Sequence, residues 1–199
     1  MKKAIIGNGG FGREVFWSLT EYERNLTQFF IDDEFLLNES ENTLPLSKLN
    51  TQEYQVIVAI GNPIMRENII KKLPSDTVFF THIHPSVIIL DKKIKIGDGS
   101  IICAGTILTT NIILGKHTHL NLNTTIGHDT IVGDFFTTAP NVNISGNCNI
   151  GKRVYFGTNS SVRERIKICD DVIIGLNGGV VKNINESGTY IGTPVNKIK

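Results

Sequence analysis

Two short segments of this chain carry side chains able to do chemistry. In Thr125-Ile126-Gly127-His128-Asp129 an imidazole is followed at once by a carboxylate. An acidic neighbour orients a histidine ring and raises its basicity. A general base that takes a proton from an amine or hydroxyl needs both. The second segment, Gly7-Asn8-Gly9-Gly10-Phe11-Gly12, fits G-x-G-x-x-G; it follows an apolar run at residues 3–6 and opens a helical pattern, the context this motif requires. Glycines let backbone approach a phosphate, and a helix start offers unpaired N–H groups. Asp32 follows a second apolar run, where a carboxylate can hold ribose hydroxyls, with Asp33 beside it, and Gly61-Asn62 follows a third. These strand ends are expected to converge on one crevice for a single nucleotide. The α/β part is too short for the second half of a dinucleotide fold. On the residues alone, a tight glycine turn without a ligand and a solvated turn histidine stay open.

The elements that must position these groups fall into two kinds. Residues 1–82 read as a small parallel α/β domain. Strands are expected at 3–6, 28–31, 55–60 and 77–80, and helices at 11–22 and 63–73. Residues 83–199 follow a different rule. From Leu90 to Val180 an apolar residue recurs every six positions, through Ile96, Ile102, Leu108, Leu114, Leu120, Ile126 and Val132 and on past Ile144, with Thr138 the one break. A spacing of six fits neither a helix nor a flat strand; it marks a parallel β-helix. Three hexads make a coil of 18 residues, so His128 should stack between Thr110 and Gly146. Gly146 would bring bare backbone to the imidazole, where an N–H could meet an oxyanion. The ends of such a solenoid need covering, by the α/β part and by the tail holding Gly192-Thr193-Pro194.

Composition narrows the classes. Twenty basic and 19 acidic residues leave a net charge of +1. With no basic run, nucleic acid and anionic membranes are not expected partners. No apolar segment is long enough to span a bilayer. Cys103, Cys148 and Cys169 form no C-x-x-C pair, which suits free thiols in a cytoplasmic protein. No metal is expected. Of the five histidines, His82 and His117 miss a stacking register by one residue, and no third falls five beyond His117.

Taken in order, several motifs resemble those of the bacterial sugar O-acyltransferases related to sialic acid O-acetyltransferase, a group that includes N-acetyltransferases of nucleotide-linked 4-amino sugars. The likeness rests on Ile6-Gly7-Asn8-Gly9-Gly10-Phe11-Gly12, Phe30-Ile31-Asp32-Asp33, Val58-Ala59-Ile60-Gly61-Asn62 with Arg66, and His84-Pro85. In the repeat it rests on Leu120-Asn121-Leu122-Asn123, Ile126-Gly127-His128-Asp129, Val142-Asn143-Ile144-Ser145-Gly146-Asn147 and Gly192-Thr193-Pro194. The resemblance implies a Rossmann-like domain followed by a left-handed β-helix, and a homotrimer with sites between subunits. It implies acetyl-CoA as co-substrate and a nucleotide-linked 4-amino-4,6-dideoxy sugar as acceptor. His128 would be the general base in a direct transfer, Asp129 its acidic partner and Asn121 a positioning group. Gly146, Gly157, Thr158 and Gly175 would meet the coenzyme. Gly9, Gly10, Phe11, Asp32, Asp33 and Gly61 would meet the nucleotide sugar. Some relatives carry His where this chain has Phe11 and Thr137. The alternatives are O-acetylation of a sialic-acid-like sugar, a zinc enzyme of the carbonic anhydrase type, and a binding protein without chemistry.

Overall fold

The computed structural model describes residues 1–35 and 42–199, in two compact units, Met1–His82 and Ile83–Lys199. The first is a four-stranded parallel sheet in the order β3-β2-β1-β4, from β1 (Lys2–Ile6), β2 (Thr27–Ile31), β3 (Thr43–Pro45) and β4 (Tyr54–Val58). Strand order reverses between β1 and β4, and open α/β sheets bind ligands beyond the strand ends at such a point. Val56, Ile57 and Val58 of β4 are all fully buried, as expected of a strand covered on both faces. Ala4, Ile6, Phe30, Val56, Val58 and Ile69 form the core.

Three expectations for this unit are corrected. The helix expected at 11–22 is two helices, α1 (Gly10–Ser18) and α2 (Glu21–Asn25). The break comes at Leu19, in extended conformation, and Thr20, which forms a capping box with Glu23. Tyr22 therefore leaves the buried face and is exposed. The strand expected at 77–80 shrinks to one bridge, between Val56 and Phe79. Strand β3, which is not among the expected elements, takes the far edge; its proline sits where no neighbour needs an N–H. The third helix, α3 (Pro63–Lys72), begins as its sequence dictates: the Asn62 side chain accepts the Met65 N–H at 3.0 Å and Pro63 opens the first turn.

The second unit is a parallel β-solenoid. Mostly two-residue strands stack into three sheets of five, eight and six strands. Ile113 pairs with Ile131, and Ile131 with Asn149, so each coil advances 18 residues. Each turn from Gly99 to Asn177 holds one residue in left-handed conformation, in most cases Asn or Asp; their short side chains tolerate it. The apolar column is buried from Ile102 to Val180, and Ser100, Thr106, Thr118 and Cys148 beside it also face inward. At the start of the column Ile96 is half-buried, and Leu90, in the first coil, is 68% exposed. The break at Thr138 is fully buried, and its hydroxyl meets that of Thr124 at 2.8 Å. Among the described residues no helix is long and apolar enough to cross a membrane.

Candidate active site

His128 and Asp129 occupy one solvent-facing turn of the solenoid, immediately after the strand Thr125–Ile126. His128 Nδ1 lies 2.7 Å from Asp129 Oδ2. Asp129 has left-handed backbone (φ 58°) and donates its N–H to the Thr110 carbonyl one coil back, at 3.1 Å. On the other side, the Asn147 N–H donates to the His128 carbonyl at 2.7 Å. The stacking expected from the hexads is present. A Cβ added at Gly146 would fall 2.6 Å from His128 Nε2 and 2.8 Å from Cε1. Glycine therefore keeps one face of the ring clear. The Gly146 N–H donates to no group among the described residues. The Asn111 amide, and after it the His128 ring, hold the Asp129 carboxyl below the usual carboxylate range. With Asp129 ionised, the proton of a neutral imidazole resides on Nδ1, and Nε2 presents a lone pair.

Asn121 sits on the preceding corner, after the strand His119–Leu120. Its backbone is held on both sides: its N–H donates to Thr138 Oγ1 at 3.0 Å, and its carbonyl accepts from Thr124 Oγ1 at 2.8 Å. The polar break in the apolar column thus anchors this residue. Asn121 Oδ1 accepts the Leu122 N–H at 2.7 Å, and its side-chain NH2 is uncommitted among the described residues. No hydrogen bond links it to His128.

The four residues assigned to the coenzyme do not share one line. Asn121, Ala139, Gly157 and Gly175 stack at successive coils, while Gly146 belongs with His128 on the next corner. The Gly157 and Gly175 N–H groups are already used, donating to Ile174 and Tyr190 carbonyls at 2.8 Å each. The column can therefore offer a smooth surface but no free N–H donor at these two positions. Thr158 is exposed beside it. Thr137 is buried.

In the first unit the ends of β1, β2 and β4 do converge. A crevice of about 420 Å³ is lined by Ile6 and Gly7, Ile31 and Asp32, Ile60, and Met65, Asn68, Ile69 and Lys72 of α3. Such a volume suits a small ligand. Lys72 Nζ donates to Asp32 Oδ2 at 2.6 Å; the lysine is half exposed and the aspartate mostly covered. Asp33 lines an adjoining hollow: its carboxylate accepts the Ser47 N–H at 3.1 Å, and the hollow, lined also by Leu46 and Pro74, shares Asp32, Glu34 and Lys72 with the crevice. Gly9, Gly10, Phe11 and Gly61 do not line the crevice. Gly9 and Gly10 stand at the start of α1, and added Cβ atoms at Gly9, Gly10 and Gly61 would meet open space. Gly12 is structural: a Cβ there would fall 1.9 Å from the Gly7 carbonyl oxygen.

Four residues of these sites were not singled out by sequence reasoning. Lys72 was one more base at a helix end. Arg66 shows in the sequence only as part of a motif; it is fully buried, its guanidinium donates to the Ile60 carbonyl at 2.6 Å, and burial pushes it down to about 9. Asn111 lies one coil before Asp129 and donates to its Oδ1 at 2.6 Å. Asp91 in turn accepts the Asn111 N–H at 3.2 Å. The 18-residue step from Asn111 to Asp129 was the signal that could have found the third of these. No group of three His, Cys, Asp or Glu among the described residues is placed to hold a metal ion.

Comparison with known proteins agrees with this architecture. Residues 2–73 match the family model of the PglD N-terminal domain. GDP-perosamine N-acetyltransferase of Escherichia coli O157:H7 is 26% identical over 175 residues, covering 81% of this chain and 78% of that protein. The structure of WeeI from Acinetobacter baumannii AYE superposes with a TM-score of 0.85 at 28% identity, over the full length of both chains. PerB from Caulobacter crescentus, solved with CoA and GDP-perosamine, superposes with a TM-score of 0.88 over 100% of this chain and 98% of its own, at 24% identity. The last likeness speaks to fold alone. Together the matches bear out the resemblance read from the motifs.

Proposed function

We propose that this chain, a hexapeptide-repeat sugar acyltransferase, transfers the acetyl group of acetyl-CoA to the amine of a nucleotide-linked 4-amino-4,6-dideoxy sugar. The observation that carries the reading is the uncovered Nε2 of His128, backed by Asp129 and set over the bare backbone of Gly146. In this reading the neutral amine attacks the thioester carbonyl carbon while Nε2 takes the amine proton. Asp129 stabilises the imidazolium that forms. The uncommitted Gly146 N–H faces the charge growing on the carbonyl oxygen; a preorganised donor of this kind is worth a large share of an acyl-transfer barrier. Collapse of the tetrahedral species expels coenzyme A as thiolate, and the imidazolium returns the proton to it.

The crevice at Asp32 is assigned the nucleotide, with the carboxylate oxygen not used by Lys72 as ribose acceptor and Ile31, Ile60 and Ile69 as apolar walls. The column Ala139-Gly157-Gly175, with Thr158 beside it, is assigned to the coenzyme. That column and the His128 turn occupy successive corners of the coil, which favours a homotrimer in which the corner of one copy meets the neighbour's. We place this function in the cytoplasm, which suits the three thiols Cys103, Cys148 and Cys169. His128→Ala should lower kcat by roughly 10²–10⁴-fold while coenzyme A still binds. An ester rather than an amide in the product would assign the enzyme to hydroxyl acceptors instead.

A further inference from the structure

We infer that Asn111, held from behind by Asp91, is the positioning residue that fixes the Asp129 carboxylate against His128. The inference rests on the proposed reading of His128 as the base. His128 and Asp129 are about half exposed, at 56% and 45% of their side-chain surface. Exposed ion pairs are weak, because water screens them and side-chain rotation opposes them. Such a pair needs outside support to hold one geometry. Here the carboxylate is gripped at both ends: Oδ2 meets the imidazole at 2.7 Å and Oδ1 accepts from Asn111 Nδ2 at 2.6 Å.

Asn111 is itself fixed. Its backbone is left-handed (φ 52°), and its N–H donates to Asp91 Oδ2 at 3.2 Å. Thr110 Oγ1 donates to the same oxygen at 2.9 Å. The Lys93 N–H holds Asp91 Oδ1 at 2.9 Å. Successive coils thus build a chain from Asp91 through Asn111 and Asp129 to Nδ1 of His128. Every link is made, and the imidazole end alone faces the reaction. An asparagine serves here because its NH2 donates at every pH in the working range, where an aspartate would set carboxylate against carboxylate. The charged groups around the chain are Asp91 with Lys93 beside it, Asp129 and His128. Past Gly146 the next turn brings Glu164 and Arg165.

Asparagine also recurs at this turn position for backbone reasons, as at Asn123, Asn141 and Asn177. The test must therefore separate the turn from the side chain. Asn111→Gly keeps the left-handed turn and removes the amide; Asn111→Asp keeps the turn and the shape and removes the donor. Full-length protein labelled with ¹⁵N-histidine reports both ring nitrogens of His128, assigned by their loss in His128→Asn. The native ring is expected as a single tautomer protonated on Nδ1. In Asn111→Gly it should become a tautomer mixture, with kcat down roughly 10-fold, as for other outer partners that orient a functional histidine, and KM for both substrates unchanged. In Asn111→Asp the acid limb of the kcat profile should move to higher pH. Native ring signals and native kcat in Asn111→Gly would overturn the inference and leave Asn111 a turn residue. Ring signals that respond to Asn111→Gly in a chain without transferase activity would support the positioning while removing the proposed reaction.

Discussion

At the scale of single residues, catalysis in this account depends on what surrounds the His128 ring more than on the ring alone. Gly146→Ala places a methyl 2.6 Å from Nε2. The exposed imidazole can swing aside, but only by giving up Asp129. We therefore expect folding within about 1 kcal/mol of native, as for substitutions on a surface turn, and a loss of turnover comparable to His128→Ala; thermal unfolding and steady-state kinetics on one preparation check both. Native turnover in Gly146→Ala would remove the need for a clear ring face; the backbone N–H, which alanine keeps, is not what this variant tests. The sequence made His128, Asp129 and Gly146 legible because two are adjacent and the third lies one 18-residue coil away. Asn111 obeys the same arithmetic. It stayed hidden because asparagine is also what left-handed turns select. The spent amides of Gly157 and Gly175 were not legible either, since hexad spacing gives the column a residue occupies and not the direction of its N–H.

At the scale of elements, the α/β unit rests on a few local devices. The Thr20 capping box and the Lys3–Glu23 ion pair, at 2.6 Å, tie α2 to β1. The Lys3 hydrogen bond is the main reason that the Glu23 carboxyl falls from 4.5 to about 2. A carboxylate depressed on folding stabilises the fold fully above its unfolded value and loses that contribution as pH falls toward its folded one. Glu23→Gln should therefore melt below native at pH 7, with the gap closing between pH 4.5 and about 2; a gap constant with pH would remove the ionised carboxylate as its source. Gly12→Ala should cost several kcal/mol or prevent folding, because the added methyl would sit 1.9 Å from a carbonyl oxygen; circular dichroism melting measures it. Strands β1, β2 and β4 were legible as apolar runs closed by Gly or Asp. Strand β3 was not, being three residues long and ending in proline. The break between α1 and α2 was written as Thr20-x-x-Glu23, a helix-start signal outweighed by the apolar spacing running through it.

At the scale of the whole molecule, hexad spacing dictated the solenoid because a side chain every six residues can be buried only when the chain turns a corner between them. Handedness and subunit number are not contained in that spacing. The proposed trimer predicts a solution mass three times that of the chain by light scattering, and a monomer with full turnover would remove the need for a neighbouring corner. The measurement that tests the account most directly is coenzyme A release from acetyl-CoA with a panel of nucleotide-linked 4-amino sugars, native protein beside His128→Ala. The account predicts turnover on at least one amino sugar, an amide product, and its loss in the variant. Release unchanged by His128→Ala, or no release with any amino sugar, would contradict it.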